Sequence, residues 1–297
     1  MASLKEVKSR ISSVKSTQQI TKAMKMVSAA KLKRAQDRII QMRPYSKKLT
    51  EILQNVSSES DEQLENKYAE KRDVHKVLIV PVSSDKGLCG SFNTTVFRRV
   101  NALLAGEYKA HNANGNVTFM PIGKRAYDFI RRKELPMVAD YYELFKDLSF
   151  DDVRVAAEYA MDAFAKGDYD KVILVYNEFK NVATQILNTE QFLPIEEKVQ
   201  DEAQRVAPFK MDYIFEPDQE FIVNELIPKS LKIQFYKALL ESNASEHGAR
   251  MTAMDKATDN AGELLRDLNL LYNRTRQAAI TTEILEIVAG AEALASN

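Results

Sequence analysis

The chain has 297 residues, with 42 Lys and Arg against 42 Asp and Glu, three His, one Cys and no Trp. That length supports one large domain or two ordinary ones, and a formal charge of zero argues against a nucleic-acid binder acting through the whole chain. The single cysteine, Cys89, excludes an internal disulfide framework and suits a reducing compartment.

From Met1 to Arg43 there is neither Gly nor Pro; Pro44 is the first proline and Gly87 the first glycine. Such a stretch predicts a long helix, and Leu4, Val7, Ile11 and Val14 recur at steps of 3, 4 and 3 along it, the spacing of a coiled-coil seam. Ile20, Met24 and Val27 form a second stripe, out of phase with the first. No apolar core of a signal peptide follows Met1, and apolar runs such as 77–82 fall far short of the roughly 20 residues that span a bilayer. A soluble, intracellular chain is expected.

Residues 76–195 read as α/β. KVLIVPV, VTFMPIG and KVILVYNEF are buried-strand runs, and helical stretches lie between them around Asn93–Leu104, Lys124–Arg132 and Asp151–Lys166. TQILNTEQFLPI alternates like an antiparallel edge strand. Strands alternating with helices predict an open, mainly parallel sheet. Asp151 and Asp152 suit the first turn of a helix, where carboxylates complement the dipole, better than an acid/base pair. Residues 196–220 read as a polar connection.

From Lys229 onward proline is absent again. Leu264, Leu268, Leu271, Thr275, Ala278, Thr282 and Leu285 step by 4 and 3 alternately, a second seam and a natural antiparallel partner for the first. Helices of 43 and 69 residues would run roughly 65 and 100 Å, whereas a compact body of this size has a diameter of about 50 Å. A projecting rod is therefore expected rather than a kinked bundle, and Thr275 and Thr282 in its seam predict a coil that is weak by itself.

The loop Ser83-Ser84-Asp85-Lys86-Gly87-Leu88-Cys89-Gly90 follows a strand, where phosphate loops sit, but it matches neither G-x-x-x-x-G-K-[ST] nor G-x-G-x-x-G. A structural turn, a nucleotide loop and a partner-contacting loop stay open. Cys89 lacks a catalytic signature and reads as a buried thiol. His75, His111 and His247 have no metal-ligand spacing, so no catalytic residue, metal site or cofactor is expected. Residues 1–50 carry 13 Lys and Arg against Glu6 and Asp37, a net of +11. A solvated face, nucleic acid and an acidic protein surface are the open explanations. In the last fifteen residues Glu283, Glu286 and Glu292 stand among Ile284, Leu285, Ile287 and Val288, an apolar slender tip suited to a close-fitting pocket.

Three separated segments, in order, resemble the gamma subunits of F-type ATP synthases. They are TQQITKAMKMV at 17–27, SSDKGLCGSFN at 83–93, and the tail segments ARMTAM at 249–254, TDNA at 258–261 and NRTRQAAITTEILEIVAGA at 273–291. The resemblance runs from about Leu4 to Ala291. It implies a long antiparallel coiled coil of N- and C-terminal helices plus an open, mainly parallel Rossmann-like α/β domain. Residues 1–56 and 221–297 would be the shaft helices, 76–195 the foot, and 57–75 and 196–220 the connections.

The implied role is a central rotor shaft, without catalytic residues of its own. It would couple rotation of the membrane c-ring, driven by proton flow, to conformational cycling of three catalytic sites for ATP synthesis or hydrolysis. The implied partners are the alpha and beta subunits, the epsilon subunit and the c-ring, with no nucleic acid; the chain would meet the inner face of a bacterial membrane through that ring rather than by insertion. Carried over by motif, Met24, Lys25, Arg250, Gln277, Thr281 and Glu283 would face the alpha/beta ring. Lys86 would lie beside the acidic C-terminal loop of beta, and Tyr213, Phe215 and Glu216 at the c-ring. Plastid relatives carry an inserted cysteine pair, and with Cys89 alone that thiol switch cannot operate. No mitochondrial leader precedes the first motif, which points to a bacterial-type subunit. The competing readings are an autonomous nucleotide-binding α/β protein with helical arms, and a coiled-coil nucleic-acid binder.

Overall fold

The structure, a computed structural model, describes residues 3–58, 67–70, 72–195 and 219–295. Among these residues lie α1 (Leu4–Ser58), β1 (Val77–Pro81), α2 (Phe92–Ala105), α3 (Lys109–Ala113), β2 (Val117–Phe119), α4 (Lys124–Arg132), α5 (Phe150–Ala165), β3 (Lys171–Phe179), β4 (Gln185–Leu193) and α6 (Gln219–Ala295). They form two compact units: Met1–Ala29 with Arg250–Asn297, and Ala30–Ala249.

In the larger unit the strands form one sheet in the order β2-β1-β3-β4. β1 runs parallel to both β2 and β3, pairing Val77 with Val117 and with Lys171; β4 is antiparallel to β3 and forms the edge. The pattern follows from composition. β1 is buried at every residue, as expected for a strand covered on both faces, while β4 keeps most of its side chains half-exposed. Between β3 and β4, Asn181 Oδ1 accepts from the amides of Ala183 (3.0 Å) and Thr184 (2.7 Å), closing the turn.

Val96, Val100 and Leu103 of α2 and Ile130 of α4 pack against Val77, Ile79, Phe119, Ile173 and Val175. α5 buries Val153, Ala156, Ala157, Ala160 and Phe164. Its N-terminus is capped by Ser149, whose Oγ accepts from Asp152 N, and Asp151 and Asp152 fill the first turn; the acidic pair therefore starts a helix, as its position implied. Phe235 of α6 meets Phe192 of β4 edge-on at 5.5 Å, and Gln234 Nε2 donates to Glu190 Oε1 at 2.8 Å.

The strand and helix expectations for 76–195 hold within a residue or two, apart from α3 and the shorter β2. The terminal helices are longer than the proline-free stretches indicated. α1 passes through Pro44 and α6 through Pro228. A proline inside a helix removes a hydrogen bond at a cost of about 3 kcal/mol. Around Pro44 the buried Ile39 and Leu49 on either side supply packing that offsets it.

The seams need correction in phase. On α1 the first stripe continues as Leu4, Val7, Ile11, Val14, Gln18, Thr21, Lys25 and Ser28, all buried or half-buried. The out-of-phase stripe is no packing face, because Ile20 and Val27 are 60% and 57% exposed. On α6 the seam is Met254, Thr258, Ala261, Leu265, Leu268, Tyr272 and Thr275. Leu264 is 48% exposed where Leu268 is 8%, and Leu271, Ala278, Thr282 and Leu285 are exposed too. On α1, counting apolar residues skips Gln18, Thr21, Lys25 and Ser28, which continue the seam; on α6, neighbouring apolar residues such as Leu264 and Leu265, or Leu271 and Tyr272, leave the phase undecided by composition.

Candidate interaction surfaces of the paired helices and the β1 loop

In the smaller unit, α1 and α6 run antiparallel and meet through a polar layer. Thr21 Oγ1 and Thr258 Oγ1 are 2.8 Å apart. Lys25 Nζ forms an ion pair with Asp255 Oδ1, and Gln18 Nε2 donates to the Thr258 carbonyl at 3.5 Å. Each threonine hydroxyl also faces a carbonyl of its own helix, Gln18 O at 3.0 Å and Met254 O at 2.7 Å. No hydroxyl is left without an alternative, which keeps the layer inexpensive. The 4-3 spacing continues through Ala261 and Leu265, and Val14, Leu264 and Leu268 line a groove together with Ser9, Arg10 and Ser13.

Beyond Thr275 the helix stands without cover. Every residue from 276 to 291 is exposed, including Ile280, Ile284, Leu285, Ile287 and Val288, with Ile287 at 67%. Ile20, Met26 and Val27 add apolar surface on α1. Contiguous exposed apolar residues of this kind mark a surface that another molecule covers.

The expected contact residues fall into three groups. Met24 is half-buried beside Lys25, which the Asp255 ion pair already engages. Arg250 is buried. Gln277, Thr281 and Glu283 are fully outward, and Thr281 Oγ1 donates back to Gln277 O at 2.9 Å, so these two act as one hydrogen-bonded step on the bare helix. Tyr213, Phe215 and Glu216 lie outside the described residues. The sequence reading passed over Thr21, Asp255 and Thr258; their recurrence at heptad spacing was the available signal.

Lys86 sits on the loop after β1, in the larger unit. Three residues of that loop cap α4: Lys124 N donates to Asp85 Oδ1 (3.1 Å), Arg125 N to Ser84 O (3.1 Å) and Ala126 N to Ser83 Oγ (2.7 Å). Gly123 before α4 has φ +90, and a methyl there would lie 2.1 Å from the Ser83 carbonyl oxygen. Ser84 N donates to Asn93 Oδ1 at 3.0 Å. Ser84 N and the first three amides of α4 are thus bonded to the chain's own oxygens, which makes the loop a structural turn that caps α4. Cys89 is buried, its Sγ accepting from Asn93 Nδ2 at 3.2 Å. The loop raises Lys86 and Leu88 to the surface, Leu88 with φ +63. Among the described residues no group of three or more His, Cys, Asp or Glu could hold a metal ion, and no helix is long and apolar enough to cross a membrane.

A pair of helices with a bare apolar end, and an α/β unit whose β1 loop is held by its own hydrogen bonds, define a subunit suited to assembly with other chains. The ATP synthase family matches residues 3–294. The gamma chain of the ATP synthase of Cytophaga hutchinsonii is 58% identical over 294 residues, covering 99% of both chains; that of Christiangramia forsetii is 55% identical over the same span. Among solved structures, the central stalk and c-ring of the Tetrahymena thermophila mitochondrial ATP synthase contains a chain 28% identical with a TM-score of 0.54, covering 80% of this chain and 99% of that one. A chain of the Euglena gracilis mitochondrial ATP synthase shares the fold at a TM-score of 0.65 and 20% identity, covering 98% and 94%. The chain belongs to the ATP synthase gamma-chain family.

Proposed function

We propose that this chain is the central rotor shaft of a bacterial F-type ATP synthase and contains no catalytic residue of its own. Residues 1–56 and 221–297 act as the shaft helices and 76–195 as the foot, joined through 57–75 and 196–220. The alpha and beta subunits surround the helices, while the epsilon subunit and the c-ring meet the foot. The chain is held at the cytoplasmic face of the membrane by the ring rather than by insertion.

The observation that carries this reading is the uncovered apolar helix from Ile280 to Val288. In this reading the ring of alpha and beta subunits forms the sleeve that buries the tip. Exposed Gln277, Thr281 and Glu283 offer hydrogen bonds and charge to the ring below the sleeve, with Met24, Lys25 and Arg250 meeting it about 30–40 Å further along the helix pair and Lys86 against an acidic segment of beta. Tyr213, Phe215 and Glu216 are assigned to the c-ring. Turning changes which face each beta subunit meets, and a catalytic site with several states responds to that difference in contact free energy. The basic head, +11 over residues 1–50, serves as an electrostatic counterpart to acidic ring surfaces.

The test is ATPase activity of co-expressed alpha and beta subunits with and without this chain. Entry into one complex, with activity restored and then reduced by truncating Glu283–Asn297 together with Gln277→Ala and Thr281→Ala, is the expected result. Failure to enter any complex with subunits from the same source would overturn the reading.

A further inference from the structure

The larger unit contains a buried carboxylate that the shaft role does not yet explain. Glu241 of α6 is only 3% exposed. One of its oxygens, Oε2, accepts from the backbone amide of Phe179, the last residue of β3, at 3.2 Å. The charged groups facing it are Arg43 of α1, Lys237 of α6 and Glu178 of β3. A buried carboxylate costs stability unless its oxygens are used, so its presence beside the buried Ser242, Ser245, Glu246 and His247 calls for a role.

The surroundings supply one. Residues 238–250 of α6 are buried almost all round, Asn243 alone being half-buried. Beside the larger Leu239, Leu240, Glu246 and His247 lie the small Ala244, Ser242 and Ser245, the last two with hydroxyls that have no hydrogen-bond partner. At Gly248 a methyl would lie 3.3 Å from the Phe179 ring and 3.7 Å from the Val182 backbone. The helix therefore presses directly on the end of β3 and on the β3–β4 turn. Small residues and Gly248 let the helix and the strand end approach closely. Glu241 is the group on that helix face whose hydrogen bond reaches the sheet backbone at this point, and a hydrogen bond has a direction that packing lacks.

We propose that Glu241 is a positioning residue that clips the Phe179 end of β3 to α6, so that the α/β sheet and the helix turn as one body. This rests on the rotor-shaft reading, since the clip matters for function only where torque passes from the foot into the helix. Gln at this position keeps an acceptor oxygen; Leu and Ala do not.

The experiment uses the full chain in two settings. In the purified chain, hydrogen exchange at the Phe179 amide is compared among native protein, Glu241→Gln, Glu241→Leu and Glu241→Ala, the last two bracketing side-chain volume so that one folded variant suffices. The expected result is protection in native protein and Glu241→Gln, and exchange at least tenfold faster without the acceptor. In the assembled synthase in vesicles, the ratio of ATP-driven proton pumping to ATP hydrolysis is measured. It is expected to fall severalfold in Glu241→Leu or Glu241→Ala at retained hydrolysis, and to be restored by Glu241→Gln. Unchanged Phe179 exchange, or an unchanged pumping ratio in an assembled acceptor-less variant, overturns the clip. A native chain that neither assembles nor supports pumping overturns the rotor reading instead, and the two failures are told apart by that control.

Discussion

Replacing Thr21 and Thr258 by Val, singly and together, tests whether the polar layer between the helices is a hydrogen-bonded unit. The cross-helix contact is 2.8 Å long, and each hydroxyl has a carbonyl of its own helix as a second partner, at 3.0 and 2.7 Å. Removing one hydroxyl therefore orphans nothing and costs one neutral hydrogen bond, about 1 kcal/mol. Removing both exchanges that bond for two facing methyl groups, each contributing about 0.8 kcal/mol when buried. With Thr258 only half-buried that gain is partial, so the double variant should be within about 0.5 kcal/mol of native against a summed single loss of about 2 kcal/mol, a coupling energy of about 1.5–2.5 kcal/mol. Native-state amide exchange of residues 255–262 in the full chain reads this locally: about fivefold faster in either single variant, and near the native rate in the double one. Additive losses, with the double variant about 2 kcal/mol below native, would show that the two hydroxyls do not interact and would refute the layer as described.

Leu268→Ala should destabilise the helix pair by about 2–3 kcal/mol and Leu264→Ala by under 1 kcal/mol, because Leu268 is buried in the seam and Leu264 is half outside it; thermal unfolding followed by circular dichroism distinguishes this phase from the reverse. Gly123→Ala forces a side chain onto φ +90 and within 2.1 Å of a carbonyl oxygen, and a loss of about 3–5 kcal/mol in urea unfolding is expected. Ser83→Ala removes one of the two acceptors of the Ala126 amide, which keeps the Gly123 carbonyl at 3.1 Å, for a loss of about 1 kcal/mol by the same measurement. Burial raises the Glu241 carboxyl above its ordinary value of 4.5, against the lowering effects of the Phe179 amide and Arg43. The folded chain thus holds that proton to higher pH than the unfolded chain. Its contribution to stability is complete below about 4.5 and is lost as pH rises through the folded value; Glu241→Gln should remove that slope from the pH dependence of the urea midpoint.

Much of this was legible in the residues. Apolar strand runs carry their own signature, so β1, β3 and the antiparallel edge strand β4 were readable before any coordinates, as was α4 at its two ends. The family followed from three motifs that recur in order, and a long helix at each terminus followed from the punctuation of Gly and Pro. The phase of the helix seams did not. Thr21, Lys25, Asp255 and Thr258 are ordinary surface residue types, and only a partner helix at hydrogen-bonding distance makes them interior. The roles of the β1 loop were likewise undecided, because the same glycines and serines serve a phosphate or a helix N-terminus equally well.

What the sequence determined by itself is therefore what depends on local periodicity and composition: which segments are helix or strand, that the ends pair, and which family the chain belongs to. What only the tertiary structure decided is where polar side chains find partners far along the chain. Ser83 reaches Ala126 across 43 positions, Glu241 reaches Phe179 across 62, and Thr258 reaches Thr21 across 237. A hydrogen bond depends on distance and angle between two groups, and a one-dimensional pattern contains neither until the chain has folded.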